Sequence, residues 1–199
     1  MLLHKELESK GINLILASQS PRRRALMTEC GFTPELVSID VDESYPLNLP
    51  ADEVASYLSN LKSEAYPKEL SQNEILITAD TIVIIDGEVL GKPNDRGDAI
   101  EMLNRLAGSQ HSVITGVTLR SAERKETFSS ITKVYFAELS REQIEYYVDT
   151  YSPYDKAGSY GIQEWIGYVA IERIDGSFYN VMGLPIQRLY SELSKLLTR

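Results

Sequence analysis

The sequence predicts a mixed α/β fold in which helices flank one central sheet. Short runs rich in β-branched and apolar residues, typical of strands, alternate along the chain with apolar stripes at helical spacing. No internal repeat, low-complexity tract or long linker interrupts this alternation. We therefore expect residues 1–199 to form a single domain, with two small lobes around a cleft as the variant.

The first predicted elements are a strand and two helices. Residues 12–17 are a short apolar run that predicts a buried strand, and Pro21 suits the first turn of a helix directly after it. Residues 51–66 place apolar side chains at helical intervals as far as Pro67, which ends that helix.

The middle of the chain is predicted to be rich in strands. Two β-rich stretches, 75–79 and 81–85, flank Asp80, so this carboxylate is expected within a strand or at its end. Asp86-Gly87 then indicates a hairpin. The remaining elements follow from the same patterns: a helix over 99–106, an antiparallel pair over 113–119 and 127–136, a helix capped by Ser140 and Gln143, a strand over 168–174 and a last helix from Pro185.

Composition and charge limit the functional classes. Hydrophobic residues make up 43% of the chain and charged residues 25%, which suits a soluble globular protein. The formal net charge of -9 argues against a protein that coats nucleic acid, which needs a basic surface. No apolar run could span a bilayer and no signal-peptide core begins the chain, so we expect a cytoplasmic protein without a membrane partner. The single cysteine, Cys30, excludes an internal disulfide, and His4 and His111 form no metal or triad pattern.

Residues 18–24, with the sequence SQSPRRR, are the first candidate phosphate site. Ser20 can cap the helix, whose free amides and positive dipole end attract an anion, and arginine forks add bidentate bonds to phosphate. Arg22 and Arg23 precede apolar residues by four positions, so we expect them nearer the protein body than Arg24, which is assigned to the surface. An ordinary capped helix with solvated arginines explains the run equally well.

Asp80 belongs to a second candidate group of charged residues. A carboxylate carried by a strand can orient and deprotonate a water molecule or hold a hard cation, and Lys92, beyond the hairpin, can neutralise phosphate charge. Lys62 borders the apolar stripe of its helix, so its stem can reach a cleft, and Glu43 can supply a second carboxylate. Each of these residues, taken alone, also fits a solvated position.

Residues 155–163, with the sequence DKAGSYGIQ, are the third candidate. Gly158 and Gly161 let the backbone approach a ligand, Lys156 offers charge, and Gln163 has a donor and an acceptor that suit a base edge. The segment lacks the spacing of a Walker A loop, and no GxGxxG fingerprint occurs in the chain, so the segment is weak when taken alone.

Five motifs in this order resemble the Maf family. They are LASQSPRR at 16–23, ADT at 79–81, GKP at 91–93, TG at 115–116 and DKAGSYGIQ at 155–163. The resemblance extends from about residue 12 to the C-terminal helix, and five ordered motifs are far more specific than any one of them. It implies a Maf/inosine triphosphatase-like α/β fold with two lobes around a cleft, often as a homodimer.

The resemblance also implies an activity. This is the hydrolysis of a nucleoside triphosphate between its α and β phosphates, with Mg²⁺ or Mn²⁺ as the cofactor, in the house-cleaning of nucleotide pools. Asp80 matches the residue that accepts the proton of the attacking water. Arg22, Thr81 and Gln163 match the family's specificity positions. The full set that matches its substrate-binding positions is Ser18, Arg22, Arg23, Glu43, Lys62, Thr81, Lys92 and Gln163.

Within the family, the sequence is more similar to the dTTP/UTP branch than to the 7-methyl-GTP branch. The latter tends to have an aromatic residue in place of Arg22, Asp-Gln where Asp-Thr stands here at 80–81, and a different run at 160–163. The main departure is Glu-Trp at 164–165, where small residues are usual. Two other functions stay open: a pyrophosphatase for methylated or damaged purine nucleotides, and a regulator that senses nucleotides without hydrolysing them.

Overall fold

The computed structural model describes residues 1–198, in which helices and strands follow one another in mixed order. The helices are α1 (Leu3–Ser9), α2 (Pro21–Glu29), α3 (Val54–Glu64), α4 (Arg96–Leu106), α5 (Arg141–Tyr151), α6 (Trp165–Val169), α7 (Phe178–Met182) and α8 (Ile186–Thr198). The strands are β1 (Asn13–Ala17), β2 (Glu35–Val37), β3 (Glu74–Ile85), β4 (Glu88–Leu90), β5 (Gln110–Arg120), β6 (Lys125–Phe136) and β7 (Ile171–Asp175). No helix in the described range is both long and apolar enough to cross a membrane.

The strands form one mixed sheet. Their order is β2-β1-β3-β5-β6-β7, and β4 pairs with β3. β1 is parallel to both β2 and β3, with Leu16 opposite Leu36 and Ile77. The β3–β4 and β6–β7 pairs are antiparallel. The predicted class, a mixed α/β fold with helices around a central sheet, is therefore confirmed.

The chain divides into two compact units. Unit 1 comprises residues 1–80, 115–130 and the described residues from 183 onward, and unit 2 comprises residues 81–114 and 131–182. The chain first passes from unit 1 to unit 2 within β3, directly after Asp80. Each unit has an apolar core of its own.

The core of unit 1 forms around β1. Residues 14–17 are all buried, as expected for a parallel strand that is covered on both faces, and two of them pack with Tyr66 and Leu76. In β5, a Cβ on Gly116 would lie 2.3 Å from the carbonyl oxygen of Ala55. Only glycine therefore fits at this point, where β5 approaches the backbone of α3.

The core of unit 2 includes the buried faces of α4 and α5, with Leu103 and Ile144 among its members. His111 lies edge-to-face against Phe136 and Tyr160, and its Nε2 is 2.7 Å from the Tyr160 hydroxyl. Burial lowers the pKa of His111 from 6.5 to about 4, so the imidazole is neutral near pH 7.

One predicted element differs from the structure at its start. Asp80 lies within a strand, as expected, and the stretches on either side of it form one continuous strand, Glu74–Ile85. The strand predicted over 168–174 begins only at Ile171, because residues 168–169 belong to α6. The amide of Gly167 donates to the carbonyl oxygen of Glu164 at 2.9 Å, which starts a helical turn just before the residues that were predicted to begin the strand.

Candidate active site

Asp80 lies on β3, and that strand determines its direction. The strand is rigidly placed at this point, since Thr78 and Ala79 are fully buried. Thr78 Oγ1 donates a hydrogen bond to the carbonyl oxygen of Ser59 at 2.6 Å, which joins β3 to α3. The Asp80 side chain is almost buried, and an ionised carboxylate in such a position needs a charged or hydrogen-bonding partner.

Lys62, near the end of α3, is that partner. Its Nζ donates to Asp80 Oδ1 at 2.6 Å and forms an ion pair with Glu43 Oε1 at 2.8 Å. The side chains of Lys62 and Asp80 are only 14% and 11% exposed. Among the described residues, the Asp80 carboxylate bonds through Oδ1 alone, and Oδ2 has no partner.

Arg23, on the first turn of α2, links the helix to the strand that carries Asp80. Its Nε donates to the carbonyl oxygen of Gly183 at 2.8 Å. Its Nη1 donates to the carbonyl oxygen of Ala79 at 2.9 Å and to Ser18 Oγ at 3.2 Å. The guanidinium therefore fixes the backbone directly before the aspartate.

The charge of Arg23 is surrounded by other charges. Burial lowers the pKa of its guanidinium; of the neighbouring charges, Asp80 raises that pKa, Arg22 lowers it and Glu43 raises it. An arginine side chain nevertheless stays protonated in proteins. Arg24 is exposed, as predicted, whereas Arg22 is half-buried. The region near Asp80 thus contains two arginine cations in addition to the lysine.

The N-terminus of α2 has the predicted cap. The Ser20 side chain accepts a hydrogen bond from the amide of Arg23 at 3.5 Å, and Pro21 is the first helical residue. Ser18 Oγ accepts from the amide of Ser20 at 3.2 Å. A capped helix start with two nearby hydroxyls and arginines has the donors that phosphate binding requires.

Unit 1 therefore brings together most of the predicted site. Lys62 contacts Glu43 and Asp80, and Arg23 contacts Ser18 and the carbonyl oxygen of Ala79, the residue before Asp80. These contacts link five of the predicted site residues. Arg22 is close enough to Arg23 to affect its pKa.

Unit 2 contains the other three predicted site residues. Thr81 is half-buried on β3, Lys92 is exposed in the loop after β4, and Gln163 is half-buried in the turn before α6. Oε1 of Gln163 is buried and has no hydrogen-bond partner among the described residues. The amide of Gly158 donates to the carbonyl oxygen of Gly91 at 3.0 Å, which joins the segment that carries Gln163 to the loop that carries Lys92.

Lys156 has an environment that the sequence did not indicate. Its side chain is 8% exposed, and Nζ contacts Asp155 Oδ1 at 2.7 Å and Glu164 Oε1 at 3.2 Å. Glu164 also accepts a hydrogen bond from the Tyr147 hydroxyl. The sequence analysis did not single out Tyr147, because a tyrosine on a helical stripe has the pattern of a core residue.

Two carboxylates could contribute to a cation site. In the part of the chain that the structure describes, no group of three or more His, Cys, Asp and Glu could hold a metal ion. Asp80 and Glu43 nevertheless contact the same ammonium nitrogen, so their oxygens converge on one point. Mg²⁺ usually takes one or two protein carboxylates and completes its shell with water and phosphate oxygens. The donor set fits a cation that binds together with a phosphate.

Comparison with known proteins gives consistent relatives. The sequence matches the family described as Maf-like protein over residues 13–196. A protein of Bacteroides thetaiotaomicron named dTTP/UTP pyrophosphatase is 53% identical over 184 residues, which are 92% of this chain and 95% of that protein. A protein of the same name from Porphyromonas gingivalis is 50% identical over 187 residues, which cover 92% of this chain and 94% of the relative.

A solved structure supports the fold. The Ham1 protein of Staphylococcus aureus matches with a TM-score of 0.51 at 16% sequence identity, over 92% of this chain and 99% of that chain. At this identity the likeness concerns the fold alone. The family match and the relatives that share about half of their residues cover nearly the whole sequence, and the chain therefore belongs to the Maf family.

Proposed function

We propose that this protein hydrolyses nucleoside triphosphates, dTTP and UTP foremost, to the monophosphate and pyrophosphate, as a house-cleaning enzyme of the nucleotide pool. The names of its relatives support this substrate and this reaction. The observation that carries the proposal is the 2.6 Å hydrogen bond from Lys62 Nζ to Asp80 Oδ1. It holds a carboxylate in one direction beside a cation, which is what a general base next to a phosphate requires.

Asp80 is the general base in this proposal. Lys62 engages Oδ1, and Oδ2, which has no partner among the described residues, accepts a hydrogen bond from a water molecule. The water attacks the α-phosphorus while its proton passes to Asp80, and the bond from the α-phosphorus to the bridging oxygen breaks. The monophosphate and pyrophosphate leave, and Asp80 returns the proton to solvent.

Cationic side chains neutralise the triphosphate. We assign Arg22, Lys62 and Lys92 to the phosphate oxygens, with further charge from Arg23. Arg23 also holds Ser18 and the β3 backbone through its hydrogen bonds. Ser18 and the first amides of α2 donate hydrogen bonds to phosphate. Donors that are already in place stabilise the charge that moves to the leaving pyrophosphate.

Asp80 and Glu43 would hold a divalent cation, Mg²⁺ or Mn²⁺, together with the phosphates. When bound, such a cation adds neutralisation of phosphate charge and Lewis acidity. Lys62 contacts both carboxylates and so keeps them directed at one point in the protein without ligand.

Base recognition is assigned to Gln163, Thr81 and Arg22. The buried Gln163 Oε1 is an acceptor without a partner among the described residues, and both thymine and uracil present an N3–H donor. Cytosine presents an unprotonated N3 at the same position, which would leave that acceptor unpaired. Sites reject analogues in this way, because an unpaired buried polar group is costly. We therefore expect UTP to be preferred over CTP.

The proposed partner is a free nucleotide rather than a nucleic acid or a membrane. The net charge of -9 disfavours a polyanionic partner, whereas a small polyphosphate needs only a few converging cations. We propose that residues 1–199 act as one Maf-like pyrophosphatase domain in the cytoplasm, as a homodimer.

Replacing Asp80 with asparagine tests the catalytic assignment. D80N keeps the shape of the side chain and removes the base, so pyrophosphate release with Mg²⁺ should fall by about 10²-fold or more while substrate binding is largely retained. D86N is the matched control, since Asp86 is exposed at the turn that ends the same strand. Near-normal release from D80N would contradict the assignment.

A substrate panel tests the specificity. The panel comprises dTTP, UTP, CTP, ATP, GTP, ITP and 7-methyl-GTP, each scored for pyrophosphate against orthophosphate. We expect dTTP or UTP to give the fastest release of pyrophosphate. A preference for 7-methyl-GTP or ITP would favour a purine pyrophosphatase, and a folded protein that binds nucleotides without releasing pyrophosphate would favour a regulator.

A further inference from the structure

We propose that Glu164 is a positioning residue for base recognition: through Tyr147 and Lys156 it holds the turn at 161–163 that carries Gln163. This inference rests on the proposed function, because it concerns the base site of the same reaction.

Glu164 contacts both backbone polar groups of Gly161, the amide through its carboxylate and Tyr147, and the carbonyl oxygen through its own backbone amide. Oε2 of Glu164 accepts a hydrogen bond from the Tyr147 hydroxyl, and that hydroxyl accepts one from the amide of Gly161 at 3.0 Å. The amide of Glu164 donates to the carbonyl oxygen of Gly161, also at 3.0 Å. A Cβ on Gly161 would lie 2.8 Å from the Glu164 carboxyl carbon, so the carboxylate lies directly against this glycine.

Tyr147 connects the Glu164 carboxylate to the amide of Gly161, and its own side chain is held in place by packing. The side chain is fully buried on α5. Burial raises the pKa of its hydroxyl, and the hydrogen bond to Glu164 raises that pKa further, so the hydroxyl stays protonated and remains a donor. The tyrosine thus connects a fixed helix to the turn.

Lys156 balances the charge of Glu164. Its ammonium group is 3.2 Å from Glu164 Oε1, and its other carboxylate contact, Asp155, is largely exposed. Both oxygens of Glu164 are therefore engaged by protein groups, one by a cation and one by a hydroxyl. A carboxylate bonded in this way has one orientation, which suits a residue that sets the geometry of its neighbours.

The turn that Glu164 holds is the one that presents Gln163. On its other side, a Cβ on Gly167 would lie 1.8 Å from the carbonyl oxygen of Ile162, so α6 supports the turn at the residue before Gln163. The buried Oε1 of Gln163 has no hydrogen-bond donor among the described residues. Its position depends on the backbone of the turn, which Glu164 holds at Gly161 and α6 supports at Ile162. Loosening the turn should therefore weaken the discrimination between bases and leave the chemistry of Asp80 unchanged.

The selectivity ratio, kcat/KM for UTP divided by kcat/KM for CTP, is the first measurement. E164A should lower the ratio by about tenfold, the effect of losing one good hydrogen bond to the base, and Y147F should do the same. The double variant should be no worse than either single variant, because all three break one chain of contacts. E88A is the matched control, since Glu88 makes an exposed ion pair with Arg105 in the same unit. A variant that merely lowers the folded fraction changes both kcat/KM values equally and leaves the ratio unchanged.

Hydrogen exchange of the protein without ligand is the second measurement. The amides of residues 158–163 should exchange faster in E164A and Y147F than in wild type and in E88A. Y147F decides the question if E164A does not fold. Slower or unchanged exchange, an unchanged ratio, or a wild type that does not distinguish UTP from CTP would each overturn the proposal.

The failure of the proposed function has a different signature. A wild type that releases no pyrophosphate from any nucleotide would refute the hydrolase proposal. The ratio of dissociation constants for UTP and CTP, measured by calorimetry on the same variants, then replaces the kinetic ratio, with the same expected tenfold change and the same outcomes that would overturn the role of Glu164.

Discussion

Each unit contains a lysine that contacts two carboxylates. The two lysine sites differ in the other contacts that the buried carboxylate of each site makes. In unit 1, Lys62 lies 2.6 Å from Asp80 and 2.8 Å from Glu43. In unit 2, Lys156 lies 3.2 Å from Glu164 and 2.7 Å from its own exposed neighbour in the chain. Both lysine side chains are nearly buried.

The difference lies in the second oxygen of the buried carboxylate. Glu164 uses one oxygen for Lys156 and the other for Tyr147, which in turn bonds to the backbone of a turn. Asp80 uses Oδ1 for Lys62 and, among the described residues, nothing for Oδ2. A carboxylate with both oxygens engaged stabilises the fold, whereas one with an available oxygen can act on a ligand. We therefore expect the ion pair of unit 1 to support chemistry and the similar ion pair of unit 2 to stabilise the fold.

Removing the lysine of unit 1 should have the largest effect. K62M keeps the apolar stem of the side chain and removes the cation beside Asp80, so turnover should fall by about 10²-fold or more, as when one group that stabilises the transition state is lost. Pyrophosphate release at saturating UTP measures this. K125M is the control, because Lys125 makes an exposed ion pair with Glu64 in the same unit, and it should retain turnover. Equal turnover of UTP by K62M and K125M would show that the Lys62 ion pair has no special role in catalysis.

Removing the lysine of unit 2 should reduce stability instead. K156M leaves the Glu164 charge, which is 19% exposed, without its cation, so the free energy of unfolding should fall by about 2 kcal/mol. Turnover per folded molecule at saturating UTP should stay close to that of wild type. Urea unfolding and pyrophosphate release test the two parts, with R105M as the control for loss of an exposed pair. If K156M kept wild-type stability and lost most of its turnover, Lys156 would have a catalytic role rather than a structural one.

Lowering the pH should reduce the free energy of unfolding through protonation of His111, which is buried in unit 2. The folded pKa of about 4 lies below the ordinary 6.5, so the unfolded chain binds the proton more readily between these values. The stability that the neutral ring contributes is complete above pH 6.5 and is lost as the pH falls towards 4. Between pH 7 and pH 5 the loss from this residue should be about 2 kcal/mol. H111F removes the titration, so its unfolding free energy should fall less over this interval than that of wild type. Parallel pH curves for the two proteins would contradict the assignment.

Local patterns were sufficient for the fold class and for many elements. The capping box predicted at Ser140 and Gln143 is present, with hydrogen bonds of 3.2 Å and 2.8 Å in both directions. Pro21 begins α2 as predicted. The strand expected from residue 168 was wrong at its start, because hydrophobic periodicity does not register the close packing of Gly167 on Ile162 that accompanies the helical turn.

The site was less accessible to local reasoning. Lys62 and Asp80 are separated by 18 residues, and each alone fits a solvated position. They meet because Thr78 ties β3 to α3 and Gly116 permits β5 to approach α3, contacts that no local pattern describes. Residue patterns named Asp80 and Lys62 as candidates and the family resemblance assigned them to one site, but neither revealed that Arg23 bonds to the backbone beside the aspartate.

Composition, periodicity and ordered motifs were enough to establish the α/β class, the family and the residue types available for phosphate chemistry. The partners of each charge required the folded chain. Asp80 and Glu164 are both acidic residues, and whether such a group keeps an oxygen for a ligand depends on which hydroxyls and cations are packed within about 3 Å of it. Hydrogen bonds have this short range, so residues distant in sequence become partners only after the sheet and its helices have packed.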